Sequence, residues 1–322
     1  MDALASLLDG PRARGAFLLQ VVMDPPFCIQ VQDHAPLTLM AVTEGSTVLT
    51  GADGTVLTLA AGDVGLARGP DPYSIADAPD RHPQVLILPG EQCTTPDGVD
   101  LKIAQQLGVR TWGTDSGGSI TVLIGTYERA GEVSRRVLDA LPPLAVVRGS
   151  SWDSPLVGLL SAEIGRETPG QESVLDRLLD LLLVATLREW FESEGAQAPA
   201  WYRAHADPVV GHALRLLTDR PADPWTVASL AREVGVSRAT LARRFSDEVG
   251  ETPMAFLTEA RLALAADLLC DPRATIAGVA RQVGYGSGFA LSAAFSRERG
   301  ISPTEHRARA AAGLPAETSG RA

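Results

Sequence analysis

Between residues 37 and 125 the apolar positions come in short runs, each ended by a turn signal. The stretches "LTLMAVTEG", "STVLTG", "TVLTLAAGD", "QVLILPG" and "SITVLIGTY" each predict one strand rich in Val, Leu and Thr. Asp53-Gly54 falls between two of them and predicts a hairpin, because both residues tolerate the positive φ of a tight two-residue turn. Many short strands at close spacing indicate a sandwich or a barrel.

From about Ser154 the period lengthens. In "ESVLDRLLDLLLVATLREWF", Val174, Leu175, Leu178, Leu182, Ala185 and Trp190 recur at helical spacing. Leu179 and Leu183 widen the apolar face beyond one narrow stripe, which predicts two partners for this helix: the barrel and a second subunit. "EGAQAPA", with its small residues and Pro199, reads as a linker. Only helical patterns follow it.

Within that helical part the chain repeats itself. Leu230-Ala231 aligns with Val279-Ala280 and Val234-Gly235 with Val283-Gly284, at an offset of 49; Phe245 aligns with Phe295 and Pro253 with Pro303, at 50. Each copy reads as a helix, a glycine turn, and a second helix opened by Ser237 or Ser287 as N-cap. Leu241, Phe245 and Val249 form an inward stripe, leaving Arg238, Ala239, Ala242 and Arg243 outside. Thr252-Pro253 and Ser302-Pro303 each open the next helix, with Glu305 at capping-box spacing from Ser302. Two short helices around a tight turn, the second with a basic outer face, make a helix-turn-helix; two in register are far stronger evidence than one.

Charge at first argues against a polyanion partner, since the 322-residue chain is −11 overall. The distribution removes the objection. Residues 205–310 hold 13 arginines against 12 acidic residues, so the excess acid lies in front. Lys102 is the sole lysine, and phosphate contacts must therefore come from arginine. The length suggests about two domains. The start of the chain shows no signal-peptide pattern, the longest apolar run (Leu181–Ala185) is far short of a membrane span, and three dispersed cysteines fit a reducing compartment. The expectation is a soluble cytoplasmic protein without membrane contact.

The segments "WTVASLAREVGVSRATLARRF", "ETPMAFLTEARLALAADLL", "IAGVARQVGYGSG" and "FSRERGISPTEHR" closely resemble the DNA-binding domain of the AraC/XylS transcription regulators. "VTEGSTVLTGADGTVLTLAAGDVGLARG", "ALPPLAVV" and "VLDRLLDLLLVATLREW" resemble the cupin-type sensor domain of one subgroup. The resemblance implies an α+β multidomain chain: a cupin-like β-barrel sensor over 1–150, a helical dimerisation segment and linker over 151–199, and an all-α reader over 200–322. Its helix-turn-helix units are expected at about 226–249 and 275–299. It further implies double-stranded promoter or operator DNA as partner, a small-molecule effector, a homodimer, RNA polymerase as a candidate contact, a role in regulation that includes activation, and no cofactor. Two readers on one monomer, about 34 Å apart, can enter successive major grooves.

By that resemblance, Arg243 is the expected base reader, since arginine can pair with guanine. Arg238 and Arg244 are expected on phosphates, and Ser237, Thr240, Ala239 and Ala242 complete the first surface. In the second copy the position of Arg243 is occupied by Ala293, where many members carry Arg. Arg297 and Arg299 remain for phosphates, with Ser287, Phe289 and Ser292 alongside. Phe289 is read as core filler ahead of an apolar groove contact.

Other classes are weaker. A cupin enzyme gathers several metal-binding histidines, and the front holds only His34 and His82. "TDSGGS" at 114–119 has no nearby histidine partner and reads as a turn. A redox regulator using Cys28 and Cys93 is the sharper alternative; Cys270 reads as core, and Ile124 stands where some relatives carry Cys. An architectural DNA-binding protein without a ligand is a third.

Overall fold

The computed structural model describes residues 17–311 apart from 91, 102–105, 115–116, 129–132, 134, 153, 194–197 and 272. The central part of "TDSGGS", most of the linker and Lys102 therefore lie outside the described residues. The chain divides into two compact units, with the main boundary in sequence between Trp190 and Phe191 and a short excursion of the second unit at Ala130–Arg135.

The front unit contains β1 (Phe17–Met23), β2 (Cys28–Val31), β3 (Leu37–Glu44), β4 (Ser46–Gly51), β5 (Val56–Ala60), β6 (Val64–Arg68) and β7 (Tyr73–Ala76). It continues with β8 (Val85–Leu88), β9 (Gln92–Thr94), β10 (Gln106–Gly108), β11 (Thr111–Gly113), β12 (Ile120–Tyr127), α1 (Arg135–Ala140) and β13 (Leu144–Val147). Two helices, α2 (Leu156–Ile164) and α3 (Gln171–Ser193), complete it. All five strands predicted from the sequence form. The expected hairpin joins β4 to β5, with Gly54 at φ 81° and the Thr55 amide donating to Asp53 Oδ1 at 2.9 Å.

The strands make two sheets, ordered β10-β11-β1-β12-β3-β6-β13 and β5-β4-β7-β2-β8-β9. This corrects the expected barrel: the front is a cupin-like jelly-roll sandwich, and each sheet ends in edges of its own. The edge strands are β10 and β13 of the larger sheet and β5 and β9 of the smaller, and no ladder among the described residues joins one sheet to the other. Val21, Met23, Met40, Val42 and Val122 of the larger sheet meet Ile29, Val31, Leu49 and Ile75 of the smaller across the core. The opposite face of the larger sheet is buried too. A side-chain carbon added at Gly125 would fall 2.3 Å from Leu179, so α3 lies on β12 where glycine admits it. The hydroxyl of Tyr127, wholly buried, donates to Asp180 of α3 at 3.2 Å. Burial on both faces explains why β3 and β12 read as continuous apolar runs instead of alternating ones.

The back unit is helical: α4 (Ala200–Arg203), α5 (Val210–Asp219), α6 (Val227–Glu233), α7 (Arg238–Val249), α8 (Pro253–Leu269), α9 (Ile276–Gln282), α10 (Gly288–Arg299) and α11 (Pro303–Ala311). The predicted repeat is structural. Helices α6 and α9 have seven residues each, and α7 and α10 have twelve. Leu241 and Phe245 of α7 and their counterparts Leu291 and Phe295 of α10 are completely buried.

Candidate nucleic-acid interface

Each reader helix is set by local chemistry before any packing. The hydroxyls of Thr226, Ser237, Thr275 and Ser287 accept from the backbone amides of Ser229, Thr240, Gly278 and Ala290, satisfying donors that a helix start leaves free. The intervening turns pass through Gly235 at φ 75° and Gly284 at φ 82°, which a larger residue would adopt only under strain. Each reader helix then stops at a left-handed glycine, Gly250 or Gly300.

The two units are held at a fixed spacing by α8. Arg261 donates to the carbonyls of Pro221 (2.7 Å) and Asp223 (2.8 Å), just ahead of the first unit. Its guanidinium lies 5.9 Å from the ring centre of Tyr285, in the turn of the second. Arg307 repeats the device from α11, donating to the carbonyl of Ala274 at 2.7 Å. Guanidinium groups with several donors suit such multi-carbonyl staples.

The expected contact residues separate into groups. On α7, Arg238, Ala239 and Arg243 are exposed, with Ala242 and Thr240 half-buried; Ser237 is exposed, although its hydroxyl is engaged in the cap. Arg244 faces elsewhere. It forms an ion pair with Asp207, whose other oxygen accepts from the amides of Val209 and Val210, each at 2.8 Å. Burial works against the Asp207 charge, yet these two amides and Arg244 together hold its carboxyl below the usual range.

On α10, Phe289, Ala290, Ala293 and Arg297 are exposed, and Ser292 is half-buried. The core-filling expectation for Phe289 does not hold: the side chain is 85% exposed. Its place one residue after the helix start puts it opposite the stripe of Leu291, Ala294 and Phe295 that fills the core. Arg297 donates to neighbouring Glu298 at 2.9 Å but stays two-thirds exposed. Arg299 is drawn inward, pairing with Glu259 of α8 at 3.3 Å with only 18% of its side chain exposed.

Two exposed arginines escaped the sequence reading. Arg232 and Arg281 close α6 and α9 and are related by the same offset of 49 that aligns the copies. That shared offset was the available signal.

In the front unit the redox alternative finds no support in the strand register. Val31 of β2 pairs with Ile87 of β8, which pairs with Cys93 of β9. Cys93 thus shares the interior face of Val31, whereas Cys28, an odd number of residues away, lies on the other face. Two strand spacings of about 4.8 Å and three residues of rise separate them, well beyond the roughly 7 Å limit for a disulfide. Burial, with Asp77 adding, raises the Cys28 thiol, and burial, with Asp100 adding, pushes Cys93 up to about 11. Neither favours the reactive thiolate. His34 and His82 are exposed, and among the described residues no three His, Cys, Asp or Glu side chains converge.

A sandwich followed by a rigid pair of capped helix-turn-helix units is the build of a DNA-binding transcription regulator. Comparison with known proteins agrees. A family model described as "Cupin" matches residues 2–192, and one described as "Helix-turn-helix domain" matches residues 230–309. An AraC-like transcription regulator of Streptomyces antibioticus is 30% identical over 95% of this chain and 98% of its own length. The transcriptional regulator AlkR of Acinetobacter baylyi is 28% identical over 95% and 99%. Among solved structures, an AraC-type DNA-binding regulator from Chromobacterium violaceum is 30% identical, covering 34% of this chain and 96% of that one, with a TM-score of 0.32. The chain belongs to the AraC-like transcription regulators with a cupin domain in front of the reader. Among the described residues no helix is long and apolar enough to cross a membrane.

Proposed function

We propose that the protein regulates transcription by reading an asymmetric operator, under the control of a small molecule sensed by the front domain. The observation that carries this reading is the division of labour on α7. Arg243 is exposed with no ion pair among the described residues, while adjacent Arg244 is tied to Asp207. Arg243 then reads guanine in the first box, and Arg232, Arg238, Arg281 and Arg297 fix the frame on phosphates. Arg244 and Arg299 serve the reader's own architecture. The second unit, with Ala293 at the position of Arg243, contributes little hydrogen-bonded readout. The division into a sensor over 1–150, a helical segment over 151–199 and a reader over 200–322 belongs to this proposal, as do a cytoplasmic location and the absence of catalysis.

The same proposal makes α3 the dimer contact. Its inner face, Leu175, Leu179, Leu182, Leu183 and Leu187, is buried. A second stripe remains outside, with Val174 45% and Leu181 54% exposed and Leu178 and Ala185 half-buried between and beyond them. These four positions fall on one helical face and suit a second copy of the same helix.

Selection of the full-length protein against randomised duplexes tests the reading. The expected product is one strong guanine-containing box with a weaker box about 10 bp away, bound less tightly as salt rises. Arg243→Ala should relax preference at one base, costing about 1–3 kcal/mol, whereas Arg297→Ala should weaken all sequences alike. Equal, sequence-blind losses from both would reduce Arg243 to a phosphate contact. Binding to no duplex would remove the reading altogether.

A further inference from the structure

We propose that the second reader helix recognises thymine through its C5 methyl group, and that Phe289 is the side chain that does so. The inference rests on the reading of α10 as a DNA-facing helix and says what that helix can recognise without arginine.

Phe289 is the second residue of α10, in a first turn held by Ser287, whose hydroxyl accepts from the Ala290 amide at 3.1 Å. It is 85% exposed, the most exposed of the large hydrophobic residues on the chain's described surface. It aligns with Ala239 of α7, and Ala293 aligns with Arg243, so Phe289 occupies the face the first unit turns outward. Over the first two turns that face offers Phe289, Ala290 and Ala293 and no charged or amide side chain. Hydrogen-bond readout there is limited to the hydroxyls of Ser287, already engaged, and Ser292, half-buried.

In the major groove the thymine methyl is the apolar group that a base edge presents. A phenyl ring set against it removes apolar surface from water on both partners. Set against guanine or cytosine, the same ring would strip water from donors and acceptors without replacing their bonds. The face therefore discriminates by what it leaves unsatisfied as well as by what it covers. Charge points to a polyanion rather than an apolar protein as occupant: Arg297 lies two turns further along the same face, two-thirds exposed, and exposed Arg281 closes the preceding helix.

The test uses the full-length protein and the duplex recovered by selection. Each thymine of the second box is replaced singly by deoxyuridine, which removes only the methyl. We expect one or two replacements to weaken binding about three- to tenfold, since one buried methyl is worth about fourfold. Phe289→Ala should bind the parent duplex more weakly and lose sensitivity at those positions, while its response to changes in the first box stays as in the parent. Phe289→Leu, which keeps an apolar side chain, should retain part of the sensitivity and decides the matter if the alanine variant does not fold. Full tolerance of uracil throughout the second box would overturn the proposal. So would a Phe289→Ala protein that binds and discriminates as before but fails to direct transcription, because the ring would then serve a protein partner. Failure of the parent to bind any duplex would instead strike the DNA-reading proposal itself.

Discussion

Asp207 and Arg244 form an ion pair that ties the start of α5 to the reader helix α7. Asp207 also accepts both amides of the α5 start, so one carboxylate anchors two elements. Arg244 is therefore engaged within the fold, whereas neighbouring Arg243 is exposed on the same helix. Asp207→Ala should cost about 1–3 kcal/mol of stability, because it removes a charged partner and a helix-start acceptor together. Arg244→Ala should cost less, since Asp207 keeps its amides. Urea denaturation of both single variants and the double should show coupling between them. Additive losses would mean the pair contributes nothing jointly.

Position 293 tests the asymmetry of the two readers. Ala293 is exposed at the place where α7 carries Arg243. Ala293→Arg should raise affinity, or create a guanine preference in the second box, with no loss of stability. Site selection with the variant reads this directly. Unchanged selection together with weaker binding would show that the second helix lies differently in its groove.

The outer stripe of α3 makes its own prediction. Leu181→Arg places a charge on a side chain that is 54% exposed, so the fold should tolerate it. Sedimentation of the full-length variant at micromolar concentration should give monomer where the parent gives dimer. A variant that still dimerises would place the subunit contact elsewhere.

His306 should make the reader sensitive to acid. Its ring is buried against Phe295, with centroids 5.4 Å apart, and Nε2 lies 3.2 Å from the Ala266 carbonyl. Burial lowers its pKa; the Ala266 bond opposes this in part, and the charge of Arg299 adds a lesser lowering. A lowered value in the folded state means that the unfolded chain binds the proton more readily. Stability is thus fully present above the ordinary histidine value of about 6.5 and declines as pH falls below it, until the lower folded value is passed. His306→Gln should flatten that slope. Urea midpoints measured between pH 7 and pH 5 for parent and variant would show it.

Much of this protein was legible because its information is local. Caps and glycine turns depend on residues a few positions apart, and the offsets of 49 and 50 match one such local pattern to its copy; together they marked both helix-turn-helix units. The hairpin at Asp53-Gly54 and the helix at 171–193 were visible for the same reason. What tertiary structure decided was where each long side chain spends its reach. Arg243 and Arg244 are adjacent arginines in the sequence, yet only one faces Asp207, thirty-seven residues from Arg244. Phe289 read as core because phenylalanine usually is, but the interior at that level was already filled by Leu291 and Phe295. Cys28 and Cys93 could be imagined together until strand register put them on opposite faces of one sheet. Sandwich rather than barrel was likewise a matter of tertiary pairing, since no ladder among the described residues joins the two sheets. Periodicity specifies which face of an element is apolar; the partner that covers that face is set by distant chain, and no local pattern encodes it.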